Sequence, residues 1–92
     1  MFSSFMKYSG YRQALFIFDR IRSSIEALGG TPGDVVRTRT YVTDASYVDA
    51  ASRAHGEIFH DIRPASTMLV VSGLVDPELL VEIEATAVLP DR

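Results

Sequence analysis

A change of hydrophobic rhythm, marked by a run of turn residues, constrains this chain more than any other feature. Before Gly29-Gly30 the apolar side chains Ala14, Phe18, Ile21, Ile25 and Leu28 recur at spacings of three and four, the period of one helical face. Arg12, Asp19, Arg22, Ser23 and Glu26 fill the other faces. Glycine adopts the left-handed helix-end conformation without steric cost, so Gly29-Gly30 is a strong stop. Thr31-Pro32-Gly33-Asp34 reads as a turn. Beyond it Val35–Val42 is rich in β-branched residues and alternates with period two. Val36, Thr38, Thr40 and Val42 fall on one face, and Arg37, Arg39 and Tyr41 on the other.

The rhythm then reverts. Thr43-Asp44 supplies helix-capping chemistry for a second amphipathic helix reaching about Phe59. Its stripe is Val48, Ala51, His55 and Ile58, with Tyr47 and Phe59 at the edges. Ile62-Arg63-Pro64 must leave the helix, because proline pushes the preceding residue out of helical conformation. Ser66–Ser72 is nearly all apolar or small, the pattern of a strand buried on both faces. Val75-Asp76-Pro77-Glu78 is turn material. Leu80–Val88 then sets Val81, Ile83, Ala85 and Ala87 against Glu82, Glu84 and Thr86. The order helix, strand, helix, strand, strand predicts an α+β layer with two helices on one face of the sheet. Its other face needs a cover.

Composition says where that cover comes from. With 92 residues, 47% of them hydrophobic, the chain makes one domain, and a domain this small buries only about two-thirds of its unfolded surface. The absence of cysteine excludes disulfides and thiolate zinc sites, which leaves association between subunits as the expected source of further burial. A net charge of -3 gives no long-range attraction to nucleic acid or an anionic membrane. The longest apolar runs, Ala14–Phe18 and Met68–Val71, fall far short of the roughly 20 residues of a membrane span. The first ten residues hold two phenylalanines and two methionines without periodicity or the layout of a signal peptide. A cytoplasmic protein is expected.

Four segments in order carry a more specific message. Gly33-Asp34-Val35-Val36-Arg37-Thr38 runs into Tyr41-Val42-Thr43-Asp44; Arg63-Pro64-Ala65 precedes a strand; Val81-Glu82-Ile83-Glu84-Ala85 closes the chain. Together they resemble the YjgF/RidA family, also called endoribonuclease L-PSP, over residues 11–89, with residues 1–10 unmatched. The resemblance implies a chorismate-mutase-like, YjgF-like α+β fold. It further implies a homotrimer whose sheets surround a central barrel, with ligand clefts between subunits. Members hydrolyse reactive enamines and imines or bind small carboxylic acids, and the resemblance brings no cofactor with it.

The chain departs from that family pattern twice. Members usually carry an N-terminal β-hairpin forming part of the cleft wall, whereas only ten unmatched residues precede Tyr11. Deaminase members place Arg-Ser or Arg-Thr after Pro-Ala, and that guanidinium grips the substrate carboxylate in a bidentate fork. Here Pro64-Ala65 is followed by Ser66-Thr67. Arg63 is badly placed to substitute, since an odd offset along a strand points to the opposite face.

The resemblance nominates Glu82 as the carboxylate that would position a hydrolytic water, and Ser66 and Thr67 as hydroxyl donors to a ligand. Each also has a plain structural reading, as a solvated or seam-facing carboxylate and as ordinary strand residues. His55 and His60, five apart, do not share a helical face and have no evident third ligand, so no metal site is expected. They read as a half-buried helix residue and a helix-end cation. Arg37, Arg39 and Tyr41 on an acidic chain are too little to imply RNA binding. The expected function is therefore binding of a small carboxylic-acid or imine-type metabolite between subunits of a homotrimer. The alternatives are an enamine or imine deaminase working through Glu82 and a water, which leaves enzymatic activity open, and a scaffold subunit without a cleft.

Overall fold

The computed structural model describes residues 9–91, and the unpatterned residues 1–8 lie outside them. The chain runs α1 (Gly10–Ala27), β1 (Val35–Val42), α2 (Val48–Phe59), β2 (Ala65–Val70) and β3 (Val81–Ala87). The strands form one sheet in the order β2-β1-β3, with β2 parallel and β3 antiparallel to β1. Both helices pack on one face, α1 chiefly against α2 and β3, as the α+β reading anticipated. No helix among the described residues is long and apolar enough to cross a membrane.

Local chemistry explains each boundary of α1. The Ser9 hydroxyl accepts from the Arg12 amide at 3.2 Å and starts the helix. At the other end Gly29, at φ 92°, lets its own amide reach the Glu26 carbonyl and the Gly30 amide reach that of Ile25. That pair of bonds satisfies carbonyls which a helix end otherwise leaves open. Leu28, assigned to the buried stripe by its spacing, instead caps the helix and is 74% exposed. The stripe ends at Ile25.

The core comprises Ala14, Phe18 and Ile25 of α1, Val35, Val42 and Val81 of the sheet, and Ala51, Ala54 and Phe59 of α2. Phe18 and Phe59 meet edge to face with centroids 5.4 Å apart. Phe59 is thus central, not at the edge of its helix. Val36, expected to face the helices, is exposed, and Val35 takes its place. The cause is an irregularity in the pairing of β1 with β3 between Val35 and Arg37, which shifts the inward alternation by one residue.

Two further expectations are corrected. Asp44 caps a short 3-10 turn, Ala45–Tyr47, by accepting from the Ser46 amide at 2.9 Å, and α2 begins only at Val48. Strand β2 is not buried on both faces. It is the sheet's edge, and of its six residues only Met68 is half-buried while the rest are exposed. Neither helix lies far enough across the sheet to cover it. Arg63 turns the chain from α2 into β2 at φ 55°, its amide closing on the Phe59 carbonyl at 2.9 Å.

Candidate functional site

The sheet register decides which candidate residues can act together. Ser66 stands beside Thr38, which stands beside Ala85; Thr67 stands beside Arg39, which stands beside Glu84; Leu69 stands beside Tyr41, which stands beside Glu82. Side chains alternate between faces. Thr38 is fully buried under the helices, so Ser66 shares the helix-covered face. Thr67 and Glu82 share the opposite, open face. Within one protomer, then, Ser66 and Glu82 lie on opposite sides of the sheet with the whole of β1 between them. Arg63 precedes β2 in a left-handed turn and has no place in the Ser66 row.

The open face is a ladder of polar side chains. The Tyr41 hydroxyl donates to Glu84 Oε1 at 2.6 Å, Arg39 Nε lies 3.4 Å from the same oxygen, and Arg37 donates to Thr86 Oγ1 at 3.3 Å. The bond to the Glu84 carboxylate, which stabilises the protonated phenol, raises the Tyr41 pKa, and desolvation adds to it. The two arginines that could have suggested RNA contact are thus engaged with β3. Glu82 sits one turn of the pleat from this cluster, exposed, on a strand whose outer edge pairs with nothing among the described residues.

That outer edge also bounds a groove of about 530 Å³ between α1 and β3. Its floor is apolar, built from Ile17, Ile21 and Ile25 of α1 and from Ile83, Ala85 and Ala87 of β3, and Arg20 and Glu82 contribute its charges. Sequence reasoning did not find the groove, because each lining residue reads as an ordinary member of an amphipathic stripe.

The position of Glu82 depends on a residue equally invisible in the periodicity. Gln13 is fully buried. Its amide donates to the Glu78 carbonyl at 2.9 Å and accepts from the Leu80 amide at 2.8 Å, which fixes the entry into β3. A buried amide satisfied on both sides is rigid. The one signal in the sequence was a glutamine beside the Ala14 position of the apolar stripe.

On the helix-covered face, His55 Nε2 lies 2.8 Å from Thr38 Oγ1, and Thr38 Oγ1 lies 3.3 Å from Ser66 Oγ. The imidazole packs among Phe18 and Phe59, at centroid distances of 5.7 and 4.8 Å. Burial there lowers its pKa. His60 closes α2, its Nδ1 3.0 Å from the Gly56 carbonyl and its Nε2 3.2 Å from Asp61. His55 thus faces the sheet from within α2, and His60 caps the C-terminus of that helix. Among the described residues no three of histidine, cysteine, aspartate and glutamate gather as metal ligands would.

Comparison with known proteins gives this arrangement its context. The model of the family described as endoribonuclease L-PSP matches residues 4–89. A Streptomyces coelicolor protein, SCO2049, is 38% identical over 77 residues, which are 84% of this chain and 58% of that one. The crystal structure of Rv2704 from Mycobacterium tuberculosis, a member of the YjgF/YER057c/UK114 family, superposes with a TM-score of 0.81 at 43% identity, covering 84% of this chain and 65% of that one. PA3499 from Pseudomonas aeruginosa gives 0.83 at 43% identity, over 88% and 58% of the respective chains. The chain thus spans about three-fifths of the length of these relatives. With the four ordered motifs, the α+β layer and these matches in agreement, the chain belongs to the YjgF/RidA, or endoribonuclease L-PSP, family.

Proposed function

We propose that this family member binds a small carboxylic-acid or imine-type metabolite in a cleft between the subunits of a homotrimer, and that it is not a standard deaminase. The observation that carries the reading is the separation of Ser66 from Glu82 by the full thickness of the sheet. A ligand touching both kinds of residue needs one from each of two protomers. The open face supports the association. Glu84 accepts from Tyr41 and forms an ion pair with Arg39, so these charges can be desolvated together at lower cost than isolated ones, while Leu69 beside them leaves apolar surface uncovered.

Against the deaminase reading stands Ser66 itself. A neutral hydroxyl after Pro64-Ala65 lacks the charge and fork geometry that hold a carboxylate during hydrolysis. Sedimentation equilibrium should therefore give a trimer, and isothermal titration should show saturable binding of 2-oxobutanoate, a stable stand-in for the corresponding imine. A clean monomer would remove the cleft. Ammonia release from an imine generated in situ, above the free-solution rate and lost in Glu82→Ala, would restore the deaminase.

A further inference from the structure

Resting on that reading, we infer that His55 and Thr38 are positioning residues for Ser66: a hydrogen-bond relay from α2 through β1 sets the Ser66 hydroxyl as an outward donor to an acceptor oxygen of the bound ligand. The relay joins three elements that no sequence motif connects. It passes through the interior and ends at the surface, since His55 is half-buried, Thr38 fully buried and Ser66 exposed on the edge strand.

We take the direction of donation to run from Thr38 to Ser66, and proton counting then assigns the other donors. Thr38 has one hydroxyl proton, and across the 3.3 Å contact it goes to Ser66 Oγ. The 2.8 Å contact between Thr38 and His55 must then use a proton from the imidazole, which places it on Nε2. Burial of the ring favours its neutral form, so Nε2–H is the tautomer and Nδ1 carries none. Ser66 Oγ, accepting from Thr38, keeps its own proton for a third partner. A hydroxyl that accepts one hydrogen bond is a better donor of the next.

Geometry holds the relay still. Phe18 stands edge-on to the imidazole and Phe59 lies tilted against it, so the ring cannot turn without disturbing the core. Thr38 is β-branched and stiff at χ1, in the central strand with a partner on either side. The direction also says what Ser66 is not. No base accepts its proton along this chain, so it is a binding donor and not a nucleophile. A single neutral donor suits a carboxylate or carbonyl oxygen.

Two measurements decide the inference, and the first needs no ligand. Long-range 1H–15N spectra of the histidine-labelled protein should show His55 protonated at Nε2 and bare at Nδ1. The opposite tautomer would overturn the relay. The second is titration of 2-oxobutanoate into variants whose fold is confirmed by circular dichroism. Ser66→Ala should weaken binding about tenfold, the worth of one hydrogen bond near 1.4 kcal/mol. His55→Phe, which keeps the aromatic packing but loses the donor, should weaken it less. The double variant should bind no more weakly than Ser66→Ala alone, because His55 acts only through Ser66. His55→Gln, whose amide can donate, should recover part of the loss. Additive losses, or unchanged binding in His55→Phe, would sink the positioning role. If the parent protein binds no 2-oxobutanoate, the carboxylate-binding reading and Ser66's assigned role fall together, while the tautomer still tests the wiring.

Discussion

The two faces of the sheet are built on different principles. The helix-covered face holds its nine core residues close-packed, and its polar groups are individually placed: Gln13 satisfied on both sides, Thr38 wired to His55 and Ser66. The open face carries paired charges and hydroxyls in contact with solvent. Burial dominates stability on the first. On the second, exposed pairs contribute little to a lone protomer. A face that adds little stability yet keeps Glu84 paired with Tyr41 and Arg39 is suited to recognition, which under the proposed trimer is of a second copy of the chain.

The contrast can be broken most forcefully at Phe18. Phe18→Ala removes a ring packed against both Phe59 and His55 and should cost about 3–5 kcal/mol, read as a fall in the urea midpoint. Gln13→Leu should come next, at about 1–3 kcal/mol, because it removes the fully buried amide that bonds the Glu78 carbonyl and the Leu80 amide at the part-buried entry of β3. A smaller loss there would mean that water reaches the entry of β3.

Two threonines on the same face of β1 sharpen the point further. Thr38→Val should destabilise by about 1 kcal/mol, since its hydroxyl serves two partners. Thr40→Val should be neutral or stabilising by up to about 1 kcal/mol, because the buried Thr40 hydroxyl has no hydrogen-bond partner among the described residues. Equal effects would show that burial alone, and not wiring, governs this face.

The pH dependence follows from His55. Its folded pKa lies below the ordinary 6.5, so the unfolded chain takes up this proton first as pH falls. The contribution of the neutral buried ring is intact above about pH 6.5 and is lost as pH falls from there through the folded value. His55→Phe should remove that slope, as read from urea midpoints between neutral and mildly acidic pH. The smallest effect on a protomer's own stability belongs to the open face. Glu84→Gln should leave the unfolding of dissociated protein nearly unchanged, yet weaken self-association in sedimentation. A large loss of stability without a change in association would place the face's role inside the protomer.

Much of the fold was readable because turns and periods are local. Gly29-Gly30 stopped α1, Val35–Val42 was β1 to the residue, and the alternation of Val81–Ala87 held. The errors had non-local causes. Val36 faced outward because pairing with β3 is irregular beside it. Apolar β2 lay exposed because strand order put it at the edge, which no composition reveals. Leu28 and Phe59 exchanged their expected environments for a similar reason: a helix's end and its packing partner fix burial more than spacing does.

The candidate site divides in the same way. The sequence by itself determined that a neutral Ser66 follows Pro64-Ala65, because identity at a position is a covalent fact. It also determined the helix and strand rhythm, which follows from side-chain periodicity. Only the tertiary structure put Ser66 and Glu82 on opposite faces, and only it joined His55, Thr38 and Ser66 across α2, β1 and β2. Strand order and helix placement arise from burial summed over the whole chain, so residues distant in sequence meet at positions that no local pattern encodes.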